Sequence, residues 1–404
     1  MRWKRLPSLL ALFALLILAP SAWATPKYKV LHAFTGGNDG GTLWGSLLLD
    51  SRGNVYGTTY YGGLYGGGTV FQLTPNANGR WSETTLHGFD GTDGSGSTAG
   101  LTFDVAGNLY GTTQVGGPRY YGTVFELMPQ PGGTWTESVL HSFHSGDKGG
   151  CCPYSGVVID DAGNLYGTTN GGAYELSPGS DGWTQTILHA FLGQHGDGYL
   201  SAAGVILDPA GNLYGTTEHG GGSKNCGGGC GTVYKLHPLP DGSWKETILH
   251  SFGARYDGAF PGVGALILDK SGNLYGTTDV GGPGGYGTVF KLTQRSNGHW
   301  KETILYSFTG GANGNNVSAG VVMGKAGELY GTTIGGGGQC GCGVVYKVAR
   351  QGKGKWKLTV LHRFTGYDGA QPDANLILDS KGNLYGTTAT GGAGGHGVAF
   401  ELTP

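Results

Sequence analysis

Residues 107–113 read Gly-Asn-Leu-Tyr-Gly-Thr-Thr, and the same stretch returns with little change from Gly53, Gly163, Gly211, Gly272, Gly327 and Gly382. Its tyrosines, at 56, 110, 166, 214, 275, 330 and 385, are spaced by 54, 56, 48, 61, 55 and 55 residues, so one repeat unit fills the chain. Four short β-like runs can be read inside each period. In the fifth period they are 265–268, 273–278, 287–292 and 300–308, and Asp269-Lys-Ser-Gly-Asn273 joins the first two as a tight turn. No segment shows a 3.6-residue period. Four antiparallel strands per unit, repeated seven times, predict an all-β, seven-bladed β-propeller rather than a helical solenoid.

The two ends of the repeat array predict how the ring closes. Tyr28–Phe34 is a fourth-strand sequence without a preceding three, and Gly397–Leu402 is a third-strand sequence without a following fourth. Together they complete the last blade, which removes the open strand edges a linear array would expose. Small residues four positions before the end of each first strand (Ser46, Gly100, Gly156, Gly204, Ala265, Gly320, with Asn375 the largest) are expected where innermost strands crowd the axis.

Upstream of the repeats, Arg2, Lys4 and Arg5 precede an apolar run from Leu9 to Ala19 and then Ala22-Trp23-Ala24, the pattern of a signal peptide over 1–24. The run of 11 apolar residues is shorter than the roughly 20 that span a bilayer. The expected mature chain is 25–404, a single propeller domain, secreted or periplasmic, with no membrane span and no anchoring tail. It is expected to be a monomer. Charge is sparse, 13% of residues with a net −2, and no basic cluster is present, which excludes nucleic acid as a partner.

The repeat resembles that of the choice-of-anchor tandem repeat GloVer-containing proteins, a bacterial family defined by this Gly-Asn-Leu-Tyr-Gly-Thr-Thr unit, and its strand order is similar to that of NHL-like propellers. The resemblance covers residues 28–404 and implies export and a propeller-like fold. It brings no catalytic residues and no ligand with it.

Histidine recurs in the fourth strand at His32, His87, His141, His189, His250 and His362, with Tyr306 in the remaining unit. Each sits six residues after the repeat's tryptophan or its counterpart and two before a phenylalanine. Residues repeated once per unit generally serve the unit's own packing, so these read as packing within blades and no metal is expected. The crossover aspartates Asp39, Asp93, Asp147, Asp197, Asp257 and Asp368 mostly precede glycine and read as turns. They leave calcium as the one cofactor the pattern admits, although a single carboxylate per loop falls short of the ligands it needs. No D-x-D-x-D-G, H-E-x-x-H or G-x-S-x-G motif occurs.

Ligand binding is expected where the repeats disagree, on the face that carries the second-to-third loops and the blade crossovers. Trp44, Tyr60, Tyr61, Arg119, Tyr120, Tyr121, His195, Tyr199, His219, Lys224 and Tyr256 fall there, and aromatic faces beside hydrogen-bonding groups suit an extracellular glycan or another extended polymer or protein. A carbohydrate lyase or hydrolase using loop acids such as Asp39, Asp93, Asp197 and Asp257 is the alternative, and a structural envelope module is the third. The same face carries all six cysteines, Cys151-Cys152, Cys226, Cys230, Cys340 and Cys342. In an exported chain their spacing suggests three local disulfides rather than a zinc site.

Overall fold

A computed structural model describes residues 25–404 apart from 195, 254 and 353, so the expected signal peptide and His195 lie outside the described residues. Seven antiparallel blades form a β-propeller, with four strands in sequence order from axis to rim in the first six, an added Ala259–Pro261 pairing in the fifth, and the N-terminal strand outermost in the last. In the second blade the strands are Thr102–Phe103, Leu109–Thr113, Thr123–Pro129 and Trp135–Ser142. Among the described residues the one helical element is a 3-10 turn at Gly311–Asn313, and no helix is long and apolar enough to cross a membrane.

The last blade closes as the termini predict. Lys27–Ala33 pairs antiparallel with Val398–Thr403, beside Leu384–Thr388 and Ile377–Leu378. One expectation needs correction: the innermost run at 265–268 is a strand only over Ile267–Leu268. Before it, Ala265 lies close to Gly320 of the next blade, and further upstream Ala259–Pro261 pairs with Leu274–Val280 of the same blade.

The repeated motif explains both blade and ring. In the second blade Gly107 takes φ 90, a left-handed turn conformation that favours glycine. The turn lets Asp104 accept from the Asn108 backbone N–H (2.9 Å), the Asn108 amide (2.9 Å) and the Tyr110 hydroxyl (3.2 Å). The motif's second glycine is required by space. A Cβ on Gly111 would stand 2.5 Å from the Phe125 ring. Thr112 then donates to the carbonyl of Ser155 in the next blade (2.9 Å), and Thr113 bonds Thr123 within its own blade (2.9 Å). Thr58, Thr168, Thr277 and Thr387 make the same bond between blades.

The sixth blade departs from the motif and compensates. Gly324 stands where the others have aspartate and Glu328 where they have asparagine, and the Glu328 carboxylate reaches back to accept from Tyr330 (3.1 Å) and the Ala326 N–H (3.0 Å).

Blades are fastened by aromatic pairs. The phenylalanine after each fourth strand is buried against the aromatic of the next blade's third strand, as in Phe34–Phe71 (4.9 Å), Phe89–Phe125 (5.1 Å) and Phe364–Phe400 (5.5 Å). Such burial contributes roughly 1.5–3 kcal/mol per ring, so much of the core lies between blades. The repeated tryptophans are half-buried rather than fully internal, each leaning on a cluster shared with the preceding blade.

Candidate functional site

On the loop face, Thr42, Cys152, Leu200, Phe260, Asn316 and Gln371 all have φ between 54 and 62, and Gly96 fills the equivalent place in the second blade. A left-handed residue costs about 1–2 kcal/mol unless it is glycine. The fold sustains it through bonds to the preceding blade: the N–H groups of Thr42, Cys152, Phe260 and Gln371 donate to His396, Tyr121, Cys230 and Cys342 carbonyls at 2.9–3.0 Å. This turn delivers the residue two positions on to the axis. There Trp44, Thr98, Tyr154 and Asp373, joined by Val263 three positions after Phe260, line a cavity of about 190 Å³, floored by Ser46, Gly100, Gly156, Gly204, Ala265 and Asn375.

One side of the mouth is aromatic. Trp44 is 36% exposed and packs beside Tyr60 with ring centroids 4.6 Å apart. A Cβ on Gly96 would come within 2.8 Å of that tyrosine, so the second blade's glycine makes room for it. The lining also holds one carboxyl, Asp373. Burial, and then the nearby Asp279 charge, push the Asp373 carboxyl up to about 6 against a lowering bond from Ser318. Burial, with the Glu218 charge behind it, raises Asp279 as well. One buried oxygen of each aspartate has no protein hydrogen-bond partner. A buried carboxyl whose pKa is raised in the field of a second one can, when protonated, donate as well as accept a hydrogen bond.

Of the residues expected from sequence, Trp44 and Tyr60 stand at this mouth. The others are placed apart from it or already engaged. Tyr61 gives its hydroxyl to His396, and Tyr199 pairs with His219, which also meets Phe260 edge-on at 5.1 Å. Tyr120 and Tyr256 are exposed on the rim, Tyr256 beneath the Arg255 guanidinium at 5.4 Å. The Arg119 N–H donates to Ser142, and Tyr121 supplies the carbonyl that holds Cys152. Lys224 lies on the same loop as the Cys226–Cys230 bridge. The acids Glu218, Asp279 and Asp373 were missed. For Glu218 and Asp279 the signal was variation at a fixed offset: the position after Thr-Thr reads Tyr60, Gln114, Asn170, Glu218, Asp279, Ile334 and Ala389.

The crossover aspartates do not point over the channel. Asp39, Asp93, Asp197 and Asp368 instead hydrogen-bond the histidines of the outermost strands, at 3.0, 2.8, 3.3 and 3.0 Å, and Asp257 lies 3.2 Å from His250. Each also binds the backbone of its own turn, as Asp39 does at Thr35 and Asp257 at Gly253, which holds the carboxylate at the rim. The repeated histidines pack on their own strand's phenylalanine as expected, His87 on Phe89 at 4.9 Å for example, and His87, His189 and His250 also meet an acid of the next blade.

Disulfides join Cys226 to Cys230 and Cys340 to Cys342, with Cα atoms 5.2 Å apart in both. The third expected bridge is absent. Cys151 and Cys152 are free thiols with sulfurs 2.7 Å apart. Adjacent trans residues hold their Cα atoms about 3.8 Å apart, short of the roughly 4.4–6.8 Å a disulfide usually spans.

The Gloeobacter/Verrucomicrobia repeat matches residues 20–228 and 223–404. No curated protein matches the sequence. Among solved structures, an ancestral GH74 enzyme superposes with a TM-score of 0.53 at 12% identity, covering 90% of this chain and 48% of its own. The extracellular domain assigned to a hybrid two-component system from B. thetaiotaomicron gives 0.54 at 14% identity, with coverages of 94% and 42%. This chain thus spans less than half the length of either, and at such identities the likeness is one of fold.

Proposed function

The chain belongs to the Gloeobacter/Verrucomicrobia repeat family, and from that premise we propose that it is an extracytoplasmic binding propeller that holds a glycan, or another extended extracellular polymer, at the axial mouth of its loop face. The observation that carries this reading is the Trp44–Tyr60 pair, 4.6 Å apart, with Trp44 and Asp373 both in the lining of the 190 Å³ cavity. An aromatic wall stacks on a sugar ring, and a few convergent polar groups fix its orientation. Rim residues Arg119, Tyr120, Tyr121, Tyr199, His219, Lys224 and Tyr256 would extend contact with a longer chain. Two disulfides and the apolar segment at 9–19 support export.

Asp373 and Asp279 favour one second reading, a lyase or hydrolase, because a carboxyl raised to about 6 beside another acid suits general acid and base roles. A polysaccharide screen read for both retention and released product separates the two. Retention without product supports binding, and product lost on Asp373→Asn supports catalysis.

A further inference from the structure

Each blade junction brings together three side chains from fixed repeat positions. They are the histidine late in one blade's outermost strand, the aspartate of the crossover that follows, and the residue two after tryptophan in the next blade's outermost strand. At the first-to-second junction they are His87, Asp93 and Glu137. At the third-to-fourth they are His189, Asp197 and Glu246, and at the fourth-to-fifth His250, Asp257 and Glu302. In all three groups one imidazole nitrogen and one oxygen from each acid lie within 4.8 Å of one another. The His189 nitrogen is 3.3 Å from Asp197 and 3.6 Å from Glu246.

These groups are under-satisfied as a protein-only arrangement. The Oε1 atoms of Glu137, Glu246 and Glu302 are buried and have no hydrogen-bond partner. A buried carboxylate beside a second one is costly unless something positive lies between them. We propose that these three junctions are divalent transition-metal sites of zinc-like preference, each using one imidazole nitrogen and two carboxylate oxygens, with a further position left to solvent. Imidazole in the ligand set favours zinc and its neighbours over calcium, which takes six to eight oxygens. The sites are reachable from solution, since the His87 and Asp93 side chains remain 20% and 18% exposed.

The remaining junctions set the expected number. Between the fifth and sixth blades the triad is replaced as a unit by Tyr306, Asn313 and Leu358. Between the sixth and seventh, Tyr28 takes the glutamate's place and stacks on His362 at 3.9 Å, filling the space. Gln185 replaces glutamate opposite His141 and Asp147. At the seventh-to-first junction Glu83 is present, but its Oε1 accepts from Thr85 at 3.0 Å. The position of Thr85 is Val139, Ile248 or Ile304 beside the three orphaned glutamates, which leaves those oxygens free to ligate.

The test uses the full chain, stripped with chelator and dialysed against zinc, with bound metal counted by mass spectrometry and cobalt absorption reporting imidazole ligation. Three ions per chain and a rise in melting temperature with metal are expected. Glu137→Gln, Glu246→Gln and Glu302→Gln should each remove one ion, and the triple variant all three, with the metal-free melt kept because Gln185 already occupies this position in the third blade. Should the triple variant not fold, the three single variants decide. No zinc retained at about 100 μM free metal, or the same count in the glutamine variants, would overturn the assignment and leave the triads as proton-sharing hydrogen-bond groups.

Discussion

Phe34→Ala tests whether the N-terminal strand is an integral part of the ring. Phe34 is fully buried, packs 4.9 Å from Phe71 of the first blade and 4.6 Å from His32, and its N–H donates to the Gly397 carbonyl at 3.0 Å. Its counterpart Phe89 is equally buried, 5.1 Å from Phe125, inside an uninterrupted stretch of chain. Truncating a buried phenylalanine costs about 3–5 kcal/mol, transfer and cavity combined. If closure makes the seventh junction equal to the others, Phe34→Ala and Phe89→Ala should fall within about 1 kcal/mol of each other by denaturant unfolding at unchanged slope. A strand that merely decorates a ring closed by other means would show little loss for Phe34→Ala, under about 0.5 kcal/mol, beside the full loss at Phe89. That pattern would refute the shared blade.

In the sixth blade, Glu328→Asn should destabilise by about 1–3 kcal/mol through the lost Tyr330 and Ala326 bonds, and adding Gly324→Asp should recover it, as followed by chemical unfolding. Asp373→Asn should raise the melting temperature at pH 8 and leave it unchanged at pH 4. The carboxyl's pKa is raised in the folded state, so its stabilising contribution is complete below the ordinary aspartate range and is lost as pH climbs through about 6. Thiol titration of denatured, unreduced protein should find two free groups, Cys151 and Cys152. Replacing Cys226 and Cys230 by serine should cost about 2 kcal/mol on the loop-entropy account.

The architecture was legible because one motif carries it. Asp104, Asn108, Tyr110, Gly111 and Thr112 each perform a task that recurs in most blades, with Gly324 and Glu328 as the departure in the sixth, so period and strand spacing exposed the ring, and the unpaired fourth strand at Tyr28–Phe34 exposed its closure. What periodicity could not give was direction. Asp39 and Asp93 share a loop with residues that face the mouth, yet turn bonds and an outer-strand histidine draw them to the rim. Nor could it show that Asp373 of the seventh blade feels the charge of Asp279 of the fifth, since the two belong to units that are not consecutive in the chain. The junction triads escaped for a related reason: His87 and Asp93 belong to one unit and Glu137 to the next, so no single repeat contains the set.

The most direct test of the binding account is a glycan and polysaccharide retention screen run on four proteins: the native chain, Trp44→Ala with Tyr154→Ala, Tyr120→Ala with Tyr121→Ala, and His237→Ala with His299→Ala on the opposite face. Placement of the ligand at the axial mouth predicts loss of retention for the first pair of substitutions, a smaller loss for the rim pair and none for the opposite face, with native-like melting throughout. Undiminished retention after Trp44→Ala with Tyr154→Ala, or loss confined to the His237 and His299 pair, would contradict it.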